Sequence, residues 1–125
     1  MNFKLVIEHI LTSKPISLFI KKFISINLNN IKINYSKISP KTSARIFFGL
    51  YERAETKLIK KYIINYNNVL EIGGGIGITA KYCTYFNKNI KNYYIIEPYS
   101  LNLKVIQSQR FDCEKLKLFQ GCVTN

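Results

Sequence analysis

Hydrophobic and polar positions fall into three regimes along this chain. In residues 1–24, small apolar clusters (Leu5-Val6-Ile7, Ile10-Leu11, Leu18-Phe19-Ile20, Phe23-Ile24) alternate with lysines, and Pro15 divides the stretch into two expected short helices. Residues 24–35 change to period two: Ile24, Ile26 and Leu28 precede Asn29-Asn30, and Ile31, Ile33 and Tyr35 follow it. A two-residue turn at the asparagines sets Leu28 opposite Ile31, Ile26 opposite Ile33 and Ile24 opposite Tyr35, with all six side chains on one face. Asparagine tolerates the left-handed backbone such a turn needs. Ser39-Pro40 breaks the alternation, and residues 41–50 read as another strand or an irregular connection closed by Gly49. Residues 51–65 are helical in pattern. Glu52 and Glu55 stand at the start and Lys57, Lys60 and Lys61 toward the end, with Leu58, Tyr62 and Ile63 as the expected buried stripe.

The third regime begins at Val69-Leu70-Glu71-Ile72, an apolar β-type run that meets Gly73, Gly74, Gly75 and Gly77, four of the chain's 6 glycines. A helix is expected over residues 76–86 with Ile76, Ala80 and Cys83 on one side, followed by a turn at Asn87-Lys88-Asn89. Tyr93-Tyr94-Ile95-Ile96 forms a second β-run stopped at Glu97-Pro98. Ser100 is the expected cap of a helix running to about Arg110, with Leu101, Val105 and Ile106 toward the sheet, and residues 116–123 supply a third strand. Strand, helix, strand, helix, strand predicts an α/β fold with right-handed crossovers and a parallel sheet. The expectation is the N-terminal part of a Rossmann-like sheet (residues 51–125) preceded by a small helical and β-hairpin region (residues 1–50).

Ligands of such sheets bind beyond the carboxyl ends of the strands. The glycine turn and Glu97, which follows Gly77 by 20 residues, both belong at that end. Glycines let the backbone approach a ligand, the new helix offers N–H groups, and an acid at this spacing accepts hydrogen bonds from ribose hydroxyls. The spacing also excludes two nucleotide classes. A dinucleotide fingerprint counted from Gly73 needs glycine where Ile78 stands, and counted from Gly74 it needs glycine at Ile76; no Gly-Lys-Ser/Thr exists for a phosphate loop.

Composition adds limits. No apolar run reaches the ~20 residues of a membrane span, because Lys14, Lys21 and Lys22 interrupt the N-terminal stretch. That stretch lacks the long apolar centre of a secretory signal and has no arginine before Arg45, unlike a transit peptide. It reads either as a membrane-surface helix or, preferred here, as a subdomain packing its apolar face on a core. The net charge of +12 raises nucleic acid as a partner, yet 16 Lys against 3 Arg, beside 20 Ile, 13 Asn and 9 Tyr, is also what AT-rich coding bias produces. Cys83, Cys113 and Cys122 show no metal or disulfide spacing and fit a reducing cytoplasm. His9, the single histidine, has no partner in the pattern and reads as structural.

Glu71-x-Gly73-x-Gly75-x-Gly77 resembles the first motif of class I S-adenosylmethionine-dependent methyltransferases, and Ile95-Ile96-Glu97-Pro98 resembles their second. With Tyr51-Glu52-Arg53-x-Glu55 ahead of the first strand, the stretch 49–123 resembles the FkbM family of these enzymes. The resemblance implies S-adenosyl-L-methionine as cofactor and O-methylation of a sugar or other small hydroxylated molecule. It implies that Glu71 orients the methionine part of the cofactor, that Gly73, Gly75 and Gly77 shape its pocket, and that Glu97 binds the ribose hydroxyls. No general base and no adenine-facing residue is assigned. Enzymes of this class resemble a seven-stranded sheet with the glycine-bearing strand at its centre, so ending at Asn125 is expected to leave a fragment whose first strand is an uncovered edge open to self-association. Two other readings stand beside this one: an RNA methyltransferase with a basic surface, and an inactive, non-enzymatic fragment.

Overall fold

The computed structural model describes residues 3–23, 27–28 and 31–124, in two compact units, residues 1–53 and 54–125. In the first unit, α1 (Phe3–Leu11) and α2 (Lys14–Phe23) are separated at Thr12-Ser13, not at Pro15. Pro15 sits in the first turn of α2, where its missing N–H is one that the helix leaves unpaired anyway. A short antiparallel pair, β1 (Asn27–Leu28) and β2 (Ile31–Lys32), sets Leu28 opposite Ile31 as the alternation predicts. The Asn29-Asn30 turn, Ile24 and Ile26 lie outside the described residues, and Ile33 and Tyr35 are in no strand.

Residues 41–50 do not form a strand or an irregular connection. They lie in α3 (Pro40–Phe47) and its C-terminal turn, because Ser39-Pro40 is a helix start: the Ser39 side chain accepts a hydrogen bond from the Thr42 N–H at 3.1 Å, and Pro40 occupies the first turn. Gly49, at φ +64°, takes the left-handed position after the helix. Ile20 of α2 and Ala44 of α3 form the centre of this unit's core, with Ile16, Tyr35 and Phe48 around them.

The second unit is α/β. It consists of α4 (Arg53–Tyr62), β3 (Asn68–Ile72), α5 (Ile78–Phe86), β4 (Asn92–Glu97), α6 (Ser100–Ser108) and β5 (Lys115–Gln120). The three strands form a parallel sheet in the order β3-β4-β5, with Val69 opposite Tyr93, Ile72 opposite Ile96 and Glu97 opposite Gln120, as in part of a Rossmann-like fold. Strand alternation sends Tyr93, Ile95 and Glu97 to one face, and Ala80 and Cys83 of α5 and Ile106 of α6 cover Tyr93 and Ile95 there. Both crossover helices therefore pack on that face. The opposite face carries Leu70, Ile72 and Phe119, all exposed.

Two helices depart from the pattern reading. Of the stripe expected for α4, Ile63, just past the helix end, packs on the core together with Ile59, while Leu58 and Tyr62 are exposed. Positions 58 and 62 and positions 59 and 63 form neighbouring rows on a helix, both apolar, and packing selects the second. In α6 the cap position is Tyr99, not Ser100, and Leu101 is exposed while Val105 and Ile106 are buried. Among the described residues no helix is long and apolar enough to cross a membrane.

Candidate functional site

The carboxyl end of β3 turns sharply. Gly73, Gly75 and Gly77 have φ of +79°, +52° and +81°, so left-handed residues alternate with ordinary ones across the turn. The Gly73 N–H donates to the Ile96 carbonyl at 2.8 Å, extending the β3–β4 ladder past the strand, and the Gly77 N–H returns to the Gly74 carbonyl at 2.9 Å. α5 then starts at Ile78, and the Lys81 N–H donates back to the Gly77 carbonyl at 3.1 Å.

Gly74 is held by packing instead of by its backbone angle. A Cβ there would lie 2.2 Å from Cγ2 of Ile95, so the turn presses directly on β4. Gly77 is constrained in both ways, since a Cβ would meet Ile106 Cγ1 at 3.2 Å and Phe111 Cζ at 3.3 Å. A Cβ on Gly73 meets nothing within 4 Å. A side chain at Gly74, the glycine that the alternating motif does not use, therefore requires Ile95 or the turn to shift.

Glu97 ends β4 on the helix-covered face and is 3% exposed. Its Oε2 accepts the Gly75 N–H at 2.8 Å, and its Oε1 accepts the Tyr99 N–H at 3.0 Å and the Asn102 side-chain amide at 3.1 Å. One carboxylate thus fastens the glycine turn to the start of α6. A carboxylate offers about four lone-pair directions, so about one remains after these three bonds. A ribose diol engaging both oxygens has to displace one protein donor; Asn102, on a side chain, and Gly75, in the turn, are the two that can move without unwinding α6.

Glu71 sits inside β3, two residues before the turn, and is half-buried. Its Oε2 accepts a hydrogen bond from the Tyr93 hydroxyl at 3.0 Å. Burial, reinforced by the Glu71 charge, raises the Tyr93 pKa far above its ordinary value, so this phenol stays a donor. Cys83 packs beside it, and burial pushes its thiol up to about 11, with Tyr93 opposing and Glu71 adding to the rise. Cys83 is consequently a thiol and not a nucleophile at neutral pH.

The predicted residues therefore divide into two groups. Gly73, Gly75, Gly77 and Glu97 converge at one end of the sheet, with a direct Gly75–Glu97 bond. Glu71 lies on the same face but is engaged with Tyr93 on the neighbouring strand. Sequence reasoning missed Gly74, Asn102 and Tyr93. Their signals were a glycine beyond what the alternation requires, an amide five residues after Glu97, and a tyrosine whose strand parity matches that of Glu97.

No family model, curated protein or solved structure matches this chain. A concavity lies elsewhere. A cleft of about 590 Å³ is lined by Asn67, Lys91 and Glu114, the residues that immediately precede β3, β4 and β5, together with Asp112. It occupies the amino ends of the strands, opposite to the glycine turn, and the Lys88–Asp112 ion pair at 2.7 Å lies on its wall. Near the glycine turn, Lys81 is buried and donates from Nζ to the Arg110 carbonyl beneath the Phe111 ring. Burial lowers its pKa, against the pull of Asp112. It holds the loop after α6 onto α5.

Proposed function

We propose that the glycine turn and Glu97 bind S-adenosyl-L-methionine and that the chain belongs to a methyltransferase acting on a small hydroxylated molecule. The observation that carries this reading is the 2.8 Å bond between the Gly75 N–H and the Glu97 carboxylate at the carboxyl ends of adjacent parallel strands. That is the place where such sheets take nucleotide-like ligands, and the acid stands where ribose hydroxyls are recognised. Gly73 has open space where a Cβ would go, so a ligand can approach the backbone of the turn there.

When bound, the cofactor supplies a methyl carbon activated by a sulfonium. The chain's own residues bind and orient: Glu97 accepts the sugar hydroxyls, the turn supplies backbone N–H groups, and Glu71, braced by Tyr93, faces the methionine side. Three free cysteines agree with a reducing cytoplasm. The outer edge of β3, unpaired among the described residues, makes self-association part of the same reading.

Calorimetric titration of the full chain with S-adenosylmethionine and S-adenosylhomocysteine tests the reading. Binding is expected, with Glu97→Ala weakening it at least about tenfold, the equivalent of one lost charge-assisted hydrogen bond, and Gly75→Arg abolishing it. A folded chain that takes neither ligand refutes it.

A further inference from the structure

We infer that the first unit docks on an anionic membrane surface through the outer face of α2. The core-facing side of this helix is Ile16, Ser17 and Ile20. Its other side consists of two adjacent rows at helical spacing: Pro15, Phe19 and Phe23 in one, Lys14, Leu18 and Lys22 in the other. Phe19 is 59% exposed and Phe23 64% exposed, their rings lie 5.0 Å apart, and Leu18 is exposed beside them. Isolated exposed apolar residues are ordinary, but a paired aromatic row bordered by lysines is a patch with a direction. α1 adds exposed Leu5, Ile7 and Ile10 to the same unit.

Charge identifies the occupant. Between Glu8 and Glu52 the sequence has no acidic residue, while Lys14, Lys21, Lys22, Lys32, Lys37, Lys41 and Arg45 all fall there. Glu8 itself is paired with Arg45 at 3.3 Å, and Lys21 is used internally, donating to the Ile38 carbonyl at 2.6 Å. Lys14 and Lys22 remain exposed, Lys22 with its Nζ 5.2 Å from the Phe23 ring centre. A convex helix face that joins aromatic side chains to cations of one sign complements a surface that is anionic at the level of its headgroups and apolar just below it. The phenylalanines enter the headgroup–acyl boundary while the lysine stems lie along it and their ammonium groups meet lipid phosphates.

Co-sedimentation of the full chain with phosphatidylcholine vesicles, with and without about one-third phosphatidylglycerol, tests this. Binding to the anionic vesicles only is expected. Lys14→Gln with Lys22→Gln should weaken it roughly 25-fold, at about fivefold per lysine. Phe19→Ser with Phe23→Ser, which leaves the charge unchanged, should weaken it at least about tenfold. All four side chains are exposed, so both double variants should keep the parent melting temperature; if one fails to fold, the other pair decides. Absence of binding, equal binding to neutral vesicles, binding insensitive to the phenylalanine pair, or displacement from vesicles by RNA at matched phosphate overturns the inference.

Discussion

At the scale of single residues, the turn separates two kinds of glycine requirement. Gly74→Ala places a methyl carbon 2.2 Å from Ile95 Cγ2, and relief requires β4 or the turn to shift, an overpacking cost of about 1–3 kcal/mol. Gly73→Ala meets no atom and carries only the left-handed backbone penalty of about 1–2 kcal/mol. Thermal or denaturant unfolding is expected to show both variants destabilised, with only Gly74→Ala changing the packing around Ile95 as seen in side-chain methyl spectra. Cys83 offers a pH test. Its folded pKa is raised to about 11 from an ordinary 9.0, so the contribution it makes to stability is complete below pH 9 and fades as pH rises toward 11. Thiol labelling at pH 8 should find exposed Cys122 reacting first and Cys83 last, and Cys83→Ala should flatten the loss of stability between pH 9 and 11. A Cys83 that labels as fast as Cys122 contradicts the buried cluster with Tyr93 and Glu71.

At the scale of elements, periodicity located every strand of the sheet and each helix between them because both faces of the argument agree there: apolar runs of strand length, stopped by glycine or proline. It failed where two solutions satisfy the same pattern. Ser39-Pro40 is equally a break and a helix start, and only the serine–Thr42 bond distinguishes them. α4 offers two apolar rows, and the choice of Ile59, beside the expected Ile63 just past the helix, over Leu58 and Tyr62 is made by the core they pack on. In the candidate site, the meeting of Gly75 and Glu97 was legible from strand order alone. The bonds from Tyr99 and Asn102 were not, because they depend on where α6 begins relative to β4, a detail of one residue. The exposed face of the sheet bears on association. Leu70 and Ile72 on β3 and Phe119 on β5 are exposed, and among the described residues β3 has a strand neighbour on one side only. Concentration-dependent light scattering should show self-association that Ile72→Lys suppresses, since a charge on an edge strand opposes pairing. A strictly monomeric parent would remove this edge as a contact surface.

At the scale of the whole molecule, two units carry different chemistry. Residues 1–53 hold nine cations and two acids, a balance of +7 of the total +12, and residues 54–125 hold ten cations and five acids. The basic excess concentrates in the unit without the parallel sheet, whereas Glu71 and Glu97, the acids of the proposed ligand site, lie in the other. The sheet unit offers two candidate ligand places at opposite ends of its strands: the glycine turn with Glu97, and the cleft of about 590 Å³ at the amino ends. The proposed cofactor site is the first. The most direct measurement is the amide nitrogen–proton spectrum of the full chain titrated with S-adenosylhomocysteine. The account predicts the largest shifts at Gly73, Gly75 and Gly77 and at the Asn102 side-chain amide, as Glu97 exchanges a protein donor for ligand hydroxyls. Shifts confined to Asn67, Lys91 and Glu114, or no shifts at ligand saturation, contradict it.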